Sequence, residues 1–136
     1  MTASAHHDAV VARLRSDAGL ASSVFELGEV PANRQTPYVV ISSSAGDRSE
    51  TRFTGTKDAI LTNHTLYGVG LTAAQARWVG EKITTLMLDY RIPLTGRQSF
   101  RPDPWISRPT QIDKDGPIVH PFVTISFDIH SEPNPA

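Results

Sequence analysis

Apolar residues recur every three or four positions in two segments of the chain, which predicts two amphipathic helices. The first begins after Ser4, a predicted N-cap, and ends near Gly19, with an apolar face made of His7, Val10, Val11, Leu14 and Ala18. The second begins at a capping box formed by Thr72 and Gln75 and runs about 18 residues before Pro93 stops it. Its apolar face consists of Ala76, Val79, Ile83, Leu86, Met87 and Tyr90.

Four other segments have the composition or the alternation of β-strands. Two short apolar runs, 24–30 and 38–41, are separated by turn-forming residues. Segment 59–69 is also β-prone, but both of its alternating faces are mixed, so the inward face stays open. The last segment alternates cleanly, with an apolar side made of Val119, Val123, Ile125, Phe127 and Ile129. Its polar side is made of His120, Thr124, Ser126, Asp128 and His130.

Polar and proline-rich stretches separate these elements. Residues 42–57 are rich in Ser, Thr, Gly and charge, which predicts an exposed loop or an extended hairpin. Residues 93–118 lie in a span with six prolines up to Pro121, which predicts a long connection, and both segments are predicted to be long loops or arms. The order of elements differs from the β-α-β alternation of a doubly wound sheet. It predicts one α+β domain over residues 1–136, with a mainly antiparallel sheet and two helices packed on one face.

Composition excludes several classes of function. The chain has 136 residues, is 39% hydrophobic, contains no cysteine and carries a formal net charge of -1. Disulfides, zinc-thiolate sites and a cysteine nucleophile are therefore excluded, and the charge balance is not that of a general nucleic-acid binder. Because no run of about 18 apolar residues occurs, we expect no membrane span and an intracellular chain.

The sequence holds little that indicates catalysis. It lacks the G-x-S-x-G turn of serine hydrolases and both glycine-rich phosphate motifs. Asp128 and His130 share one face of the last strand and could gain a third metal ligand from His64 or His120. This spacing specifies a site only loosely, and a solvated strand face explains it more simply. The sequence thus predicts no enzyme, metal or cofactor, with Asp128, His130 and His64 as the only alternative for a small ligand-binding or hydrolytic enzyme.

Arginine and tryptophan mark the predicted contact surfaces. Trp78 lies opposite the apolar stripe of its helix, and four arginines flank Phe100 and Trp105 in the proline-rich connection. Such a mixture suits a protein interface or a nucleic-acid backbone, while solvated arginines with aromatics pinned to the core remain an alternative. Segment 47–57 is either a solvated loop tip or an arm that reaches a neighbour. The predicted contact residues are Trp78, Arg48, Arg52, Arg91, Arg97, Arg101, Trp105 and Arg108.

The order of elements resembles the tail-terminator (tail-completion) proteins of long-tailed bacteriophages. The resemblance covers most of the chain and includes the first helix through Leu14, the strand that starts Pro37-Tyr38-Val39-Val40-Ile41 and a polar hairpin. It continues with the segment His64-Thr65-Leu66-Tyr67, the capped helix and the closing strand Phe122-Val123-Thr124-Ile125-Ser126-Phe127. Residues 91–121 match least.

The resemblance implies a structural virion protein and no chemistry. Such subunits form a hexameric ring at the head-proximal end of the tail tube, where the ring ends tube polymerisation and joins the tail to the head or neck. The implied partners are other copies of the chain, the tube protein and a neck connector, with assembly in the host cytoplasm and without a membrane. The wall of a ring lumen through which DNA passes must not bind the DNA phosphates tightly. We therefore expect Asp128 to face the lumen and the arginines to lie elsewhere. A neighbouring head-tail connector protein is the main alternative.

Overall fold

A computed structural model describes residues 3–49, 58–113 and 120–134. Within these ranges the chain forms two helices, α1 (Ser4–Arg15) and α2 (Ala73–Met87). It also forms seven strands: β1 (Val24–Glu26), β2 (Tyr38–Ser43), β3 (Asp47–Ser49), β4 (Ala59–Val69), β5 (Arg97–Ser99), β6 (Ile106–Asp113) and β7 (His120–Pro133). Both helices contribute to a single core against one sheet, which confirms the predicted α+β fold with helices on one face. Neither described helix is long and apolar enough to cross a lipid bilayer.

The two longest strands form the centre of the sheet. The strand order is β1-β2-β4-β7-β5, while β3 also pairs with β4 and β6 with β7. Strands β4 and β7 run antiparallel from the pair Ile60 and Ser131 to the pair Val69 and Phe122. Strands β5 and β6 both pair with β7, at opposite ends of it, and β1 with β2 is the parallel pair. The sheet is therefore mainly antiparallel, as predicted.

Helix α2 starts where the capping box predicts. The Thr72 hydroxyl accepts a hydrogen bond from the Gln75 amide (3.1 Å), and the Gln75 side chain accepts one from the Leu71 amide (2.6 Å). The predicted end at Pro93 is wrong because the helix stops at Met87. Its C-cap residue is extended, and Asp89 has a left-handed backbone (φ 62) that cannot continue the helix.

Helix α1 differs from its prediction at both ends and on its face. Ser4 is the first helical residue and not the cap, and the helix ends at Arg15, before Gly19. Its buried residues are His6, Val10 and Leu14. Because they are spaced four apart, they lie on the same face of the helix in successive turns. His7, which was predicted to lie on the apolar face, is only partly buried.

The strand registers settle which face points inward. On β7 the inward residues are Val123, Ile125, Phe127 and Ile129, as predicted. On β4 the buried residues that pair with these four are Thr62, His64, Leu66 and Gly68, and the buried Ile60 pairs with Ser131. The inward face of segment 59–69, which the sequence left open, therefore contains two polar side chains, Thr62 and His64. Both are completely buried.

The prediction of a long loop at 93–118 is partly wrong, whereas the antiparallel pairing of β3 with β4 fits the extended hairpin that was one alternative for 42–57. Strand β2 continues to Ser43, and β3, β5 and β6 lie inside the two spans. Because proline has no N–H for a sheet ladder, Pro109 led to the prediction of a loop where β6 lies. It sits where the register of β6 shifts between Arg108 and Gln111, a bulge at which no ladder hydrogen bond is needed. Residues 50–57 and 114–119, including Val119, lie outside the described residues, so arms there stay a prediction.

Candidate assembly surfaces

The sheet has an outer face, opposite the helices, that is built from alternate residues of β2, β4 and β7. One end of it is aromatic, with edge-to-face pairs between Phe25 and Tyr38 (6.2 Å) and between Tyr67 and Phe122 (6.1 Å). The other end is polar, because Asn63 and Asp128 lie opposite each other and the Asn63 amide donates to the Asp128 carboxylate (2.8 Å). Asp128, the predicted lumen residue, is thus half-buried on a broad open face.

The sheet separates the residues of the alternative enzyme site. His64 pairs with Phe127 and points into the core. Asp128 and His130 lie at alternate positions of β7, on either side of the buried Ile129, and point to the outer face. His130 stacks on Phe100 (5.1 Å between centroids) and lies 3.6 Å from Glu132. Within the part of the chain that the structure describes, no three His, Asp or Glu side chains are grouped to hold a metal ion.

The predicted arginines do not form one patch. Arg97 pairs with Pro133 and Arg108 with Thr124, so these two lie about 30 Å apart along β7. Arg101 is exposed and lies 3.5 Å from the Asp89 carboxylate. Arg91 and Arg48 are exposed as well, while Arg52 lies outside the described residues.

The Arg97 side chain forms its hydrogen bonds within its own chain. Its guanidinium donates to the Asp58 carbonyl (2.6 Å) and to the carbonyl and hydroxyl of Ser131 (both 3.0 Å). Burial, followed by the charge of Arg48, lowers the pKa of Arg97 from its ordinary value. These bonds join the ends of β4 and β7, so Arg97 acts as a structural clamp in the monomer.

The two tryptophans have different surroundings. Trp105 stacks on the core residue Phe127, with 5.3 Å between ring centroids and 2° between planes, which favours the alternative that aromatics pin this segment to the core. Trp78 is 39% exposed, as its position off the apolar stripe predicts. The Lys82 ammonium lies 5.3 Å from the Trp78 ring. Trp78 therefore remains the better candidate for a contact with another molecule.

A buried chain of hydrogen bonds connects α1 to the sheet, and sequence analysis missed it. His6 bonds through Nδ1 to the Thr62 hydroxyl (2.8 Å) and through Nε2 to the Ser131 hydroxyl (2.6 Å). His64 bonds through Nε2 to Thr62 (2.6 Å) and through Nδ1 to the Ser43 hydroxyl (2.8 Å). The Ser43 hydroxyl also bonds to Nδ1 of His7 (2.7 Å). The Nε2 atom of His7 lies 3.8 Å from the Glu26 carboxylate.

The donor at one end sets the direction of this chain. Because Arg97 donates to the Ser131 hydroxyl, that hydroxyl can donate to His6 Nε2, and His6 then donates from Nδ1 to Thr62. Burial, followed by the charges of Arg97 and His130, lowers the pKa of His6 from 6.5 to about 4. Burial, followed by the charges of His6 and His7, lowers the pKa of His64 from 6.5 to about 3. Each neutral histidine therefore donates once and accepts once.

No known family has a sequence profile that matches this chain, and no curated protein matches its sequence. Solved structures do match its fold. A chain in the virion of a native gene transfer agent particle is 16% identical with a TM-score of 0.64, and the alignment covers 96% of this chain and 97% of that one. The gp17 protein of bacteriophage SPP1 is 20% identical with a TM-score of 0.51, over 89% of this chain and 86% of that one. The chain therefore shares its fold with a phage protein and with a component of a virion.

Proposed function

We propose that this chain is a structural virion subunit that forms a ring, a hexamer, at the head-proximal end of a phage tail tube. The ring ends polymerisation of the tube and joins the tail to the head or neck. The observation that carries this proposal is the fold shared with a gene transfer agent virion chain over nearly the full length of both chains. The separation of Asp128 and His130 from His64 across the sheet supports a role without catalysis.

The proposal gives each surface a role. The outer face of the sheet lines or borders the lumen near Asp128, where a carboxylate repels the phosphates of passing DNA and does not retain them. A ring multiplies each lumen charge by its number of subunits, so the exposed Arg91, Arg101 and Arg108 belong in contacts with protein. The partners are other copies of the chain, the tube protein and a connector, and the DNA is not bound specifically.

The first prediction is that the protein assembles into hexameric rings that cap tail tubes. Heterologous contacts between copies close into a ring, and the chain keeps a partly exposed tryptophan and exposed arginines available for them. Native mass measurement and particle imaging with purified tubes check this, and the same images locate Asp128 relative to the lumen. Monomers both in solution and on tubes would contradict the proposal. Rings found on the connector and not on tubes would identify the chain as a neck protein.

The second prediction is that Trp78→Ala remains folded but assembles poorly. Truncation of an interfacial tryptophan commonly costs about 2 kcal/mol of association, which weakens binding roughly 30-fold. Trp105→Ala is the matched control, because Trp105 stacks on Phe127 and its loss should lower the free energy of unfolding by about 3 kcal/mol. Denaturant titration and light scattering measure the two effects. A loss of monomer stability in Trp78→Ala equal to that of the control would refute the assignment.

A further inference from the structure

The buried hydrogen bonds that join α1 to the sheet form one unbroken series of side chains, which we call the histidine relay. A guanidinium, that of Arg97, bonds to its first member, and a carboxylate, that of Glu26, lies 3.8 Å from its last. Between these ends each hydroxyl and each imidazole is bonded to the next. The members of the relay, in order, are Ser131, His6, Thr62, His64, Ser43 and His7.

The first half of the relay has a direction that Arg97 sets. A guanidinium can only donate, so the Ser131 hydroxyl accepts from Arg97 and is able to donate to Nε2 of His6. A neutral imidazole that accepts at one nitrogen carries its proton on the other. His6 therefore donates from Nδ1 to the Thr62 hydroxyl.

The second half of the relay continues in the same direction. The Thr62 hydroxyl donates to Nε2 of His64, and His64 donates from Nδ1 to the Ser43 hydroxyl. Ser43 then donates to Nδ1 of His7, which leaves the His7 proton on Nε2, the atom that faces Glu26. With neutral histidines, this one arrangement satisfies every donor and every acceptor of the relay.

An added proton has no place in this arrangement, because a protonated imidazole donates from both nitrogens. Protonation of His6 at Nε2 would point two donors, Arg97 and His6, at the Ser131 oxygen and leave the Ser131 hydrogen without an acceptor in the relay. Protonation of His64 at Nε2 would have the same effect at Thr62. Both histidines are 0% exposed, so water cannot supply the missing acceptors while α1 is in place.

The charged groups around the relay also disfavour a proton at its two buried histidines. Arg97 on β5 and His130 on β7 act on His6, and their charges lower its pKa further after the larger effect of burial. Burial likewise lowers the pKa of His64, and the charges of the two α1 histidines add to it. The other charged groups lie at the ends of the relay: Asp58, Glu132 and Arg48 act on Arg97, and Asp8, Glu26 and Arg48 line a groove with His7.

Helix α1 can leave without the removal of any strand. It contributes His6 and His7, whereas the other members of the relay lie on the sheet, and it buries three residues against five on α2. His64 is enclosed on the helix side, because His6 and His7 share its two hydroxyl partners. Release of α1 therefore exposes both buried histidines to water. This local opening takes up the same two protons as complete unfolding but breaks fewer contacts.

We propose that the histidine relay is an acid-sensitive latch, which holds α1 on the sheet while His6 and His64 are neutral and releases it, with the sheet and α2 still assembled, when both are protonated. The latch lies within one subunit, so this inference goes beyond the proposed ring and does not depend on it. Other bonds of α1, from Arg13 to the Leu86 carbonyl (3.0 Å) and from Arg15 to the Val24 carbonyl (2.9 Å), keep their strength in mild acid because arginine stays charged.

Thiol labelling tests the latch, because the chain contains no cysteine of its own. Val10→Cys places one thiol on the buried face of α1, and Val79→Cys is the matched control on α2, since both valines are 0% exposed. A pyridyl disulfide, which modifies thiols in mild acid, measures the opening of each site relative to the denatured variant at the same pH. As the pH falls from about 6 to about 5, opening at Val10→Cys should rise about 100-fold, tenfold for each histidine, and should exceed that at Val79→Cys throughout.

Two further substitutions in the Val10→Cys protein examine the relay itself. His64→Gln removes one proton-binding group, so the rise should fall to about 10-fold per pH unit. Thr62→Val removes the hydroxyl that joins His6 to His64 and leaves a buried donor unsatisfied, so α1 should open roughly 10-fold more often at neutral pH. Thr62→Ser keeps a hydroxyl at this position and should open as the parent does.

Hydrogen exchange followed by mass spectrometry repeats the test on the unsubstituted protein, where the amides of α1 should exchange in acid before those of α2 and β4. Equal opening at the two thiols, or equal exchange in the two helices, would mean that α1 leaves only when the whole fold unfolds, and would overturn the latch. Opening of α1 that does not change with pH, or that stays as steep in His64→Gln, would overturn it as well. The ring proposal is tested separately, by assembly, and stands or falls without these results.

Discussion

Acidification from pH 7 to pH 4.5 (about two units below the ordinary histidine pKa) is expected to lower the free energy of unfolding of the isolated protein by about 6 kcal/mol. His6 and His64 have pKa values lowered to about 4 and about 3, while in the unfolded chain both titrate near 6.5. Below pH 6.5 the unfolded state therefore binds protons that the folded state does not. The free energy of unfolding falls by about 1.4 kcal/mol per pH unit for each histidine, or about 3 kcal/mol for both. Over two pH units the loss is about 6 kcal/mol, which is a large part of the 5 to 15 kcal/mol by which a typical domain is stable.

The experiment measures how steeply the free energy of unfolding changes with pH. Denaturant titrations at pH 7, 6, 5.5 and 5 (values chosen around the reference pKa) give the free energy of unfolding at each pH. In His64→Gln the side chain still forms hydrogen bonds but takes up no proton in this range, so the slope should decrease by about half. A wild-type slope that His64→Gln leaves unchanged would contradict the role of the buried chain.

Phe127→Ala is expected to lower the free energy of unfolding by about 3 to 5 kcal/mol. Phe127 is 1% exposed at the centre of β7 and contacts two rings, Trp105 at 5.3 Å and His64 at 5.7 Å between centroids. Its removal leaves a cavity beneath Trp105 and takes away the stacking that holds the start of β6 on the sheet. Denaturant titration measures the loss, and tryptophan fluorescence reports the altered surroundings of Trp105.

Phe122→Ala is the matched control for this experiment. Phe122 belongs to the same strand but points to the outer face, where it contacts Tyr67 and stays partly exposed. Its truncation should cost less than half as much, because much less apolar surface returns to water. Equal losses for the two phenylalanines would contradict the assignment of Phe127 to the core.

Periodicity predicted the parts of the fold in which one face is uniformly apolar. Helix α2 has a stripe from Ala76 to Met87, and β7 alternates without interruption from Val123 to Ile129, so each needs only its own sequence to be recognised. Strand β6 was missed because its edge position tolerates Pro109 at a bulge, and only the pairing with β7 reveals that tolerance. The pairing with β7, and not the local sequence, therefore determines that this segment is a strand.

The buried histidines were missed for a different reason. His6 bonds to Thr62 and Ser131, which are 56 and 125 residues away, so no local pattern brings the three together. The spacing of His6, Val10 and Leu14 at four-residue steps was the available signal, and it identifies the buried face of α1 correctly. A polar residue in such a stripe indicates polar partners on the inward face of a strand.

The position of β7 has a consequence for how the chain folds. This strand follows all the other described elements in sequence, yet it lies between β4 on one side and β5 and β6 on the other. Its partners on β4 lie 53 to 71 residues earlier in the sequence, so the central ladder closes a long loop before it yields any stabilisation. Until β7 inserts, β4 is itself an open edge with an exposed apolar face. A newly made subunit is thus most vulnerable to aggregation in the interval before β7 is in place.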